Sequence, residues 1–141
     1  MNAPACPLCH PEHETVLWQN PRLRVIAVDN ESGVPAFCRV IWQAHVAEMT
    51  DLAPAERREL MDTVFRVEAT MRRILQPAKI NLASLGNMVP HLHWHVIARF
   101  ENDAHFPAPV WAPPQRPGQL SLPPDWQQQL ASTLQQHTEA D

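Results

Sequence analysis

The chain has 141 residues, 45% apolar and 18% charged, a balance that can bury a core without disulfides and excludes a disordered tail. Its net charge is −4 with no basic run, which argues against a nucleic-acid groove or a membrane surface but not against a small phosphorylated ligand. No apolar h-region opens the sequence and no apolar run reaches membrane-spanning length, so the expected compartment is the cytoplasm.

The opening carries Cys6-Pro7-Leu8-Cys9, and the third cysteine is Cys38. This usage fits a reducing compartment and thiol or metal chemistry better than a disulfide framework. Residues 15–19 predict a short strand, Asn20-Pro21 a turn, and residues 24–29 a second strand closed by a turn at Asn30-Glu31-Ser32-Gly33. A third strand is expected over 37–42. Pro54 suits the first position of a helix, where its missing N–H would have had no intrahelical partner. From there Leu60, Val64, Val67, Met71 and Leu75 recur at helical spacing, with most charges on the other face, until Gln76-Pro77 ends the element. Residues 79–85 and 91–100 read as a fourth and a fifth strand. Seven prolines between Phe106 and Pro124 rule out ladder pairing, so this segment is expected to lie extended across the surface. Asp125 then caps a short helix with Trp126, Leu130 and Leu134 on one face. The expected class is α+β, an antiparallel sheet with one main helix packed on it.

The most informative stretch is His91-Leu92-His93-Trp94-His95-Val96-Ile97. A strand sends residues i, i+2 and i+4 to one face, about 6.5 Å between successive ones, so the three imidazoles would line one side. Such an array suits a phosphate group or a metal ion, whereas the plain alternative is hydrogen-bonded strand histidines. Asp29 can accept from two hydroxyls of a cis-diol or simply start a turn. Cys6 and Cys9 can join His10 or His13 in a local metal site, or remain a reduced pair.

The pattern His-φ-His-φ-His-φ-φ (φ apolar) resembles that of the histidine-triad superfamily of nucleotide hydrolases and transferases, in particular bacterial diadenosine polyphosphate hydrolases. Residues 40–45 followed by Thr50-Asp51-Leu52 resemble the strand and turn before that family's long helix. The resemblance implies a five-stranded antiparallel sheet with one long helix, plus a short C-terminal helix. It divides the chain into a histidine-triad part at 1–105 and a tail at 106–141 of the same domain. It implies two-step transfer through a nucleotidyl-histidine on His93, with His95 and His91 beside it, Asp29 on the ribose and Asn87 near the phosphate. It also implies a structural zinc on Cys6, Cys9, His45 and His91, and a homodimer acting on a small nucleotide, with apolar Val25, Ile26 or their neighbours against the base.

Three positions depart from the family pattern. Phe37 stands where many members carry a supporting histidine. Gly86-Asn87-Met88-Val89 keeps an amide but lacks the usual hydroxyl, and Ala98 replaces a proline while Arg99 remains. A nucleotide-binding module without turnover and a small zinc protein are the competing functions, although metal alone leaves His93 and His95 unexplained.

Overall fold

Alternation in the strands decides which side chains meet the helix and which meet the site. The computed structural model describes residues 3–29, 36–119 and 121–140, with side chains to residue 136, so the turn expected at 30–33 lies outside the described residues. Five strands, β1 (Thr15–Gln19), β2 (Leu23–Ala27), β3 (Ala36–Trp42), β4 (Lys79–Ala83) and β5 (His93–Arg99), form one sheet in the order β1-β2-β3-β5-β4. Every neighbouring pair is antiparallel. Helix α1 (Pro54–Leu75) and helix α2 (Trp126–Ala140) complete the fold.

Leu23, Val25 and Ala27 of β2, Cys38, Val40 and Trp42 of β3, and Val96 and Ala98 of β5 join one buried cluster with Leu60, Val64, Val67, Met71 and Leu75 of α1. Each large apolar side chain buried this way stabilises the fold by about 1.5–3 kcal/mol. The intervening residues, Arg24, Ile26, Phe37, Arg39, Ile41, His93 and His95, therefore take the opposite face. That second face is also covered. Cys6 and Leu8 pack on Ile26 and Ile41, and Val110 packs against Phe37 and Ile97, which is why β2 and β3 are buried almost throughout.

Helix α1 begins at Pro54 as the sequence predicts, with the Glu56 carboxylate accepting the Ala53 N–H at 2.7 Å. It stops where Gln76 turns left-handed at φ 49° and returns its N–H to the Arg72 carbonyl. Asp125 precedes α2 and accepts the side-chain amide of Gln129 at 2.9 Å, while Trp126, Leu130 and Leu134 enter the main core.

Three expectations need correction. The fifth strand starts at His93, not His91, because Leu92 donates to the Val46 carbonyl and accepts from the Trp42 N–H, which holds residues 91–92 outside the ladder. The fourth strand ends at Ala83, after which Ser84 donates its hydroxyl to the His93 carbonyl at 2.8 Å. The proline-rich segment folds into turns as far as residue 112, where an extended course was expected, and runs mostly without turns beyond it. Asp103, 1% exposed, gathers the N–H groups of Phe100, His105 and Phe106 and the Arg99 guanidinium, folding the segment onto the sheet end. The Arg99 bond and these amides outweigh the cost of burial and hold the Asp103 carboxyl down at about 2.

Candidate functional site

The loop before β1 is wound so that both of its thiols meet the sheet. Cys6 donates its N–H to the Ala3 carbonyl and accepts from His10 on its own, a tight coil around residues 3–10. Arg24, 6% exposed and paired with Glu14 at 2.8 Å, anchors the middle of that coil by donating to the Leu8 carbonyl at 2.9 Å. His45 arrives from the turn after β3, and His91 from the approach to β5.

His91 is fully buried, and its Nε2 lies 2.6 Å from the Trp42 carbonyl oxygen. A carbonyl only accepts, so Nε2 carries the proton and Nδ1 keeps its lone pair. That Nδ1 is 3.3 Å from Cys6 Sγ, 3.5 Å from Cys9 Sγ and 3.2 Å from His45 Nδ1, and Cys9 Sγ is 3.4 Å from His45 Nδ1. The four donor atoms lie within 4.8 Å of one another and could hold a metal ion. His10 and His13 are not in this group; they line a neighbouring hollow. Burial, with His45 and Arg24 nearby, keeps the His91 imidazole below its usual range.

His93 is oriented from behind. Its Nδ1 sits 2.6 Å from the His91 carbonyl oxygen and must donate to it, which leaves Nε2 as the lone-pair nitrogen of a ring that lines a hollow of about 250 Å³. His95 is held by ring edges: 4.9 Å to His93, 5.3 Å to Phe37 and 5.3 Å to Trp111 between centroids. Its Nδ1 is buried without a hydrogen-bond partner among the described residues. Burial, helped by Arg39, keeps His93 below the usual imidazole range. Burial together with His93 and Arg39 brings His95 down to about 4. Both rings are therefore neutral at pH 7.

Asn87 and Met88 line the smaller hollow, with Met88 94% exposed. A larger hollow of about 680 Å³ lies beside the Cys loop and contains Ile26, Val28 and Asp29 in its wall. Its size is in the range of small-molecule sites. Val25 faces the helix core instead, so of the two residues proposed for a base slot only Ile26 reaches the hollow. The Asp29 carboxylate accepts the Thr15 hydroxyl at 3.0 Å and the Gln127 side-chain amide from α2 at 2.8 Å. Leu8 and Arg39 line both hollows. Sequence reasoning passed over Arg39, although a charge at the centre of the apolar run 37–41 was a visible signal. Trp111, half-exposed, closes on His95.

A family model described as the HIT domain matches residues 10–102. A curated bis(5′-nucleosyl)-tetraphosphatase (asymmetrical) of Schizosaccharomyces pombe is 26% identical over 92 residues, 62% of this chain and 50% of that protein, so the chain spans about half the length of this curated relative. Among solved structures, a histidine triad protein of Bradyrhizobium japonicum is 29% identical, with 87% of this chain and 89% of that one covered at a TM-score of 0.69. A zinc-bound histidine triad family protein of Mycobacterium smegmatis shares the fold at a TM-score of 0.64, with 19% identity and coverage of 97% and 98%. With the family match spanning the sheet, the long helix and all three alternating histidines, this chain belongs to the HIT domain family.

Proposed function

We propose that the protein is a nucleotide hydrolase or nucleotidyl transferase attacking the α-phosphate of a nucleoside phosphoramidate or dinucleoside polyphosphate. The observation that carries this reading is the 2.6 Å bond from His93 Nδ1 to the His91 carbonyl oxygen. It selects the tautomer whose Nε2 can attack phosphorus, and burial keeps that ring unprotonated. Attack forms the Nε2–P bond as the bond from phosphorus to the leaving group breaks; a polyphosphate departs as an anion, and a phosphoramidate nitrogen takes a proton from solvent and departs as the neutral amine. The imidazolium so formed keeps its Nδ1–H on the carbonyl, which stabilises the positive charge. Water then attacks phosphorus, the N–P bond breaks, and the water proton passes to solvent. His95 would donate to a phosphate oxygen, Asn87 to another, and Asp29 would accept from the ribose with the nucleoside in the larger hollow. The role assigned to His91 is to position His93 through its carbonyl. Family membership and the activity named for the Schizosaccharomyces relative support the reaction class.

For the Cys6, Cys9, His45 and His91 cluster the proposed metal is zinc. Zn–S bonds of about 2.3 Å and Zn–N bonds of about 2.0–2.1 Å imply S···N and N···N edges of roughly 3.3–3.6 Å in a tetrahedron, close to the 3.2–3.5 Å between His91 and each of the other three donors and between Cys9 and His45. Two thiolates and two imidazoles leave no open position, so the metal would fix the loop and His91, a structural service. The reducing cytoplasm is the compartment proposed for these unpaired thiols.

Incubated with adenosine 5′-phosphoramidate, the protein is expected to release AMP and to gain transiently the mass of one adenylyl group. Absence of AMP release from this compound and from a dinucleoside tetraphosphate would contradict the reading. Phe37 and Met88 favour one other reading, a module that binds AMP without turnover, and the same assay separates the two.

A homodimer is also proposed. Phe65 on α1 is 51% exposed beside Ala69, and β4 is a sheet edge. Sedimentation at micromolar concentration should give about twice the 16.0 kDa chain mass; a mass near one chain rejects the dimer.

A further inference from the structure

Strand β3 carries one cation inside an apolar run, Arg39 between Phe37-Cys38 and Val40-Ile41. In register it stands between Ile26 of β2 and His95 of β5, so these three form a row on the face away from α1. The row spans the boundary of the two hollows, and the Arg39 side chain lines both. Its guanidinium carbon is 5.5 Å from the centroid of the Phe37 ring, and that ring is 1% exposed, a fixed apolar seat for the planar group. The smaller hollow brings together this permanent cation, the His93 and His95 imidazoles and the Asn87 amide, with no carboxylate in its wall among the described residues. Such a wall selects an anion.

The family's usual donors are thinned in this chain. Met88 has no hydroxyl and stands 94% exposed, and Phe37 offers Arg39 and His95 a ring in place of an imidazole. Resting on the nucleotidyl-transfer reading above, we propose that Arg39 binds the α-phosphate directly, its guanidinium donating to the non-bridging oxygens of the phosphorus that His93 attacks. A planar fork of N–H donors matches two oxygens of one phosphate, which a lysine ammonium does not. The position also explains how one chain can read both halves of a nucleotide. Ile26 and Asp29 line the larger hollow on one side of Arg39, and His93 and His95 line the smaller on the other. The ligand class is thus a nucleoside 5′-phosphate or its phosphoramidate or anhydride, with Arg39 separating nucleotide from bare nucleoside.

The test uses the full chain as wild type, Arg39→Leu and Arg39→Lys, with calorimetric titration of AMP and adenosine and turnover of adenosine 5′-phosphoramidate. Arg39→Leu is expected to weaken AMP binding by about 10–100-fold, the loss of charge-assisted donors, while adenosine binding stays within about twofold. Its kcat/KM should fall by about 10²–10³-fold, as for removal of a transition-state donor. Arg39→Lys should recover part of both losses, because it keeps the charge without the fork. It also carries the test if Arg39→Leu does not fold. Unchanged AMP affinity and kcat/KM in both variants overturns the proposal, and so does a loss that falls equally on AMP and adenosine, the mark of a structural role. Wild-type protein that binds no AMP overturns the functional reading itself, a result distinct from wild-type binding that survives the loss of Arg39.

Discussion

Replacing His93 with alanine is expected to lower turnover of adenosine 5′-phosphoramidate by at least about 10⁴-fold, roughly 5 kcal/mol of transition-state stabilisation. The size follows from what is removed. Without a nucleophile on the enzyme the reaction reverts to direct attack by water, and the remaining donors contribute binding and charge stabilisation only. AMP affinity should change little, since His93 acts on phosphorus and the other donors to the phosphate remain. A glutamine at the same position separates chemistry from packing. Its amide can still donate to the His91 carbonyl, which His93 Nδ1 reaches at 2.6 Å, yet it offers no lone-pair ring nitrogen. His93→Gln should therefore melt near wild type, bind AMP and give no adenylylated mass. Turnover in either variant within tenfold of wild type, roughly, removes His93 from the role of nucleophile.

The alternation that made the histidines conspicuous also made the sheet legible. Alternation at 93–97 puts His93 and His95 on one face and Val96 on the other, as the burial bears out; residues 37–42 read only as an apolar strand, and pairing with β5 is what sets Cys38 and Val40 toward the helix and Phe37 and Arg39 away from it. The same pattern hid the irregular start of β5. His91 continues the alternation in sequence, but its neighbour Leu92 bonds to Val46 and Trp42, contacts that no local periodicity announces. The long-range quartet was readable only as a resemblance. Cys6 and His91 are separated by 85 positions, and whether they meet depends on the β3–β5 register and on the Arg24 tether to Leu8. Proline density told that the tail would not pair in ladders. It did not tell that Asp103 would collect three amides and a guanidinium, or that the folded segment would lay Trp111 on His95. Arg39 was overlooked for a related reason. Its meaning comes from two strands on either side, and a single strand's sequence shows only an odd charge.

Purified without chelators, the protein is expected to carry about one zinc per chain, and Cys6→Ser and His45→Ala should each deplete it while His13→Ala does not. Donor direction sets this outcome. His91 gives its Nε2–H to the Trp42 carbonyl, so its Nδ1 lone pair is fixed toward the two sulfurs, the second-sphere bond that metal-binding imidazoles commonly make. His13 points its chemistry at the larger hollow instead. Structural zinc contributes about 10–16 kcal/mol to the folding of small fingers that have little else. This chain has its own core, so chelation should lower the melting temperature strongly without unfolding the sheet. Activity should fall with it. The loop held by Cys6 and Cys9 supplies Cys6, Leu8 and His10 to the wall of the larger hollow, and the His91 carbonyl orients His93. Zinc analysis, thermal melts with and without chelator, and AMP release on the same samples decide the matter. Protein that is metal-free as isolated, takes up no added zinc and melts unchanged would leave Cys6 and Cys9 as plain thiols. Zinc that survives His45→Ala but is lost with His13→Ala would move the metal to the local site.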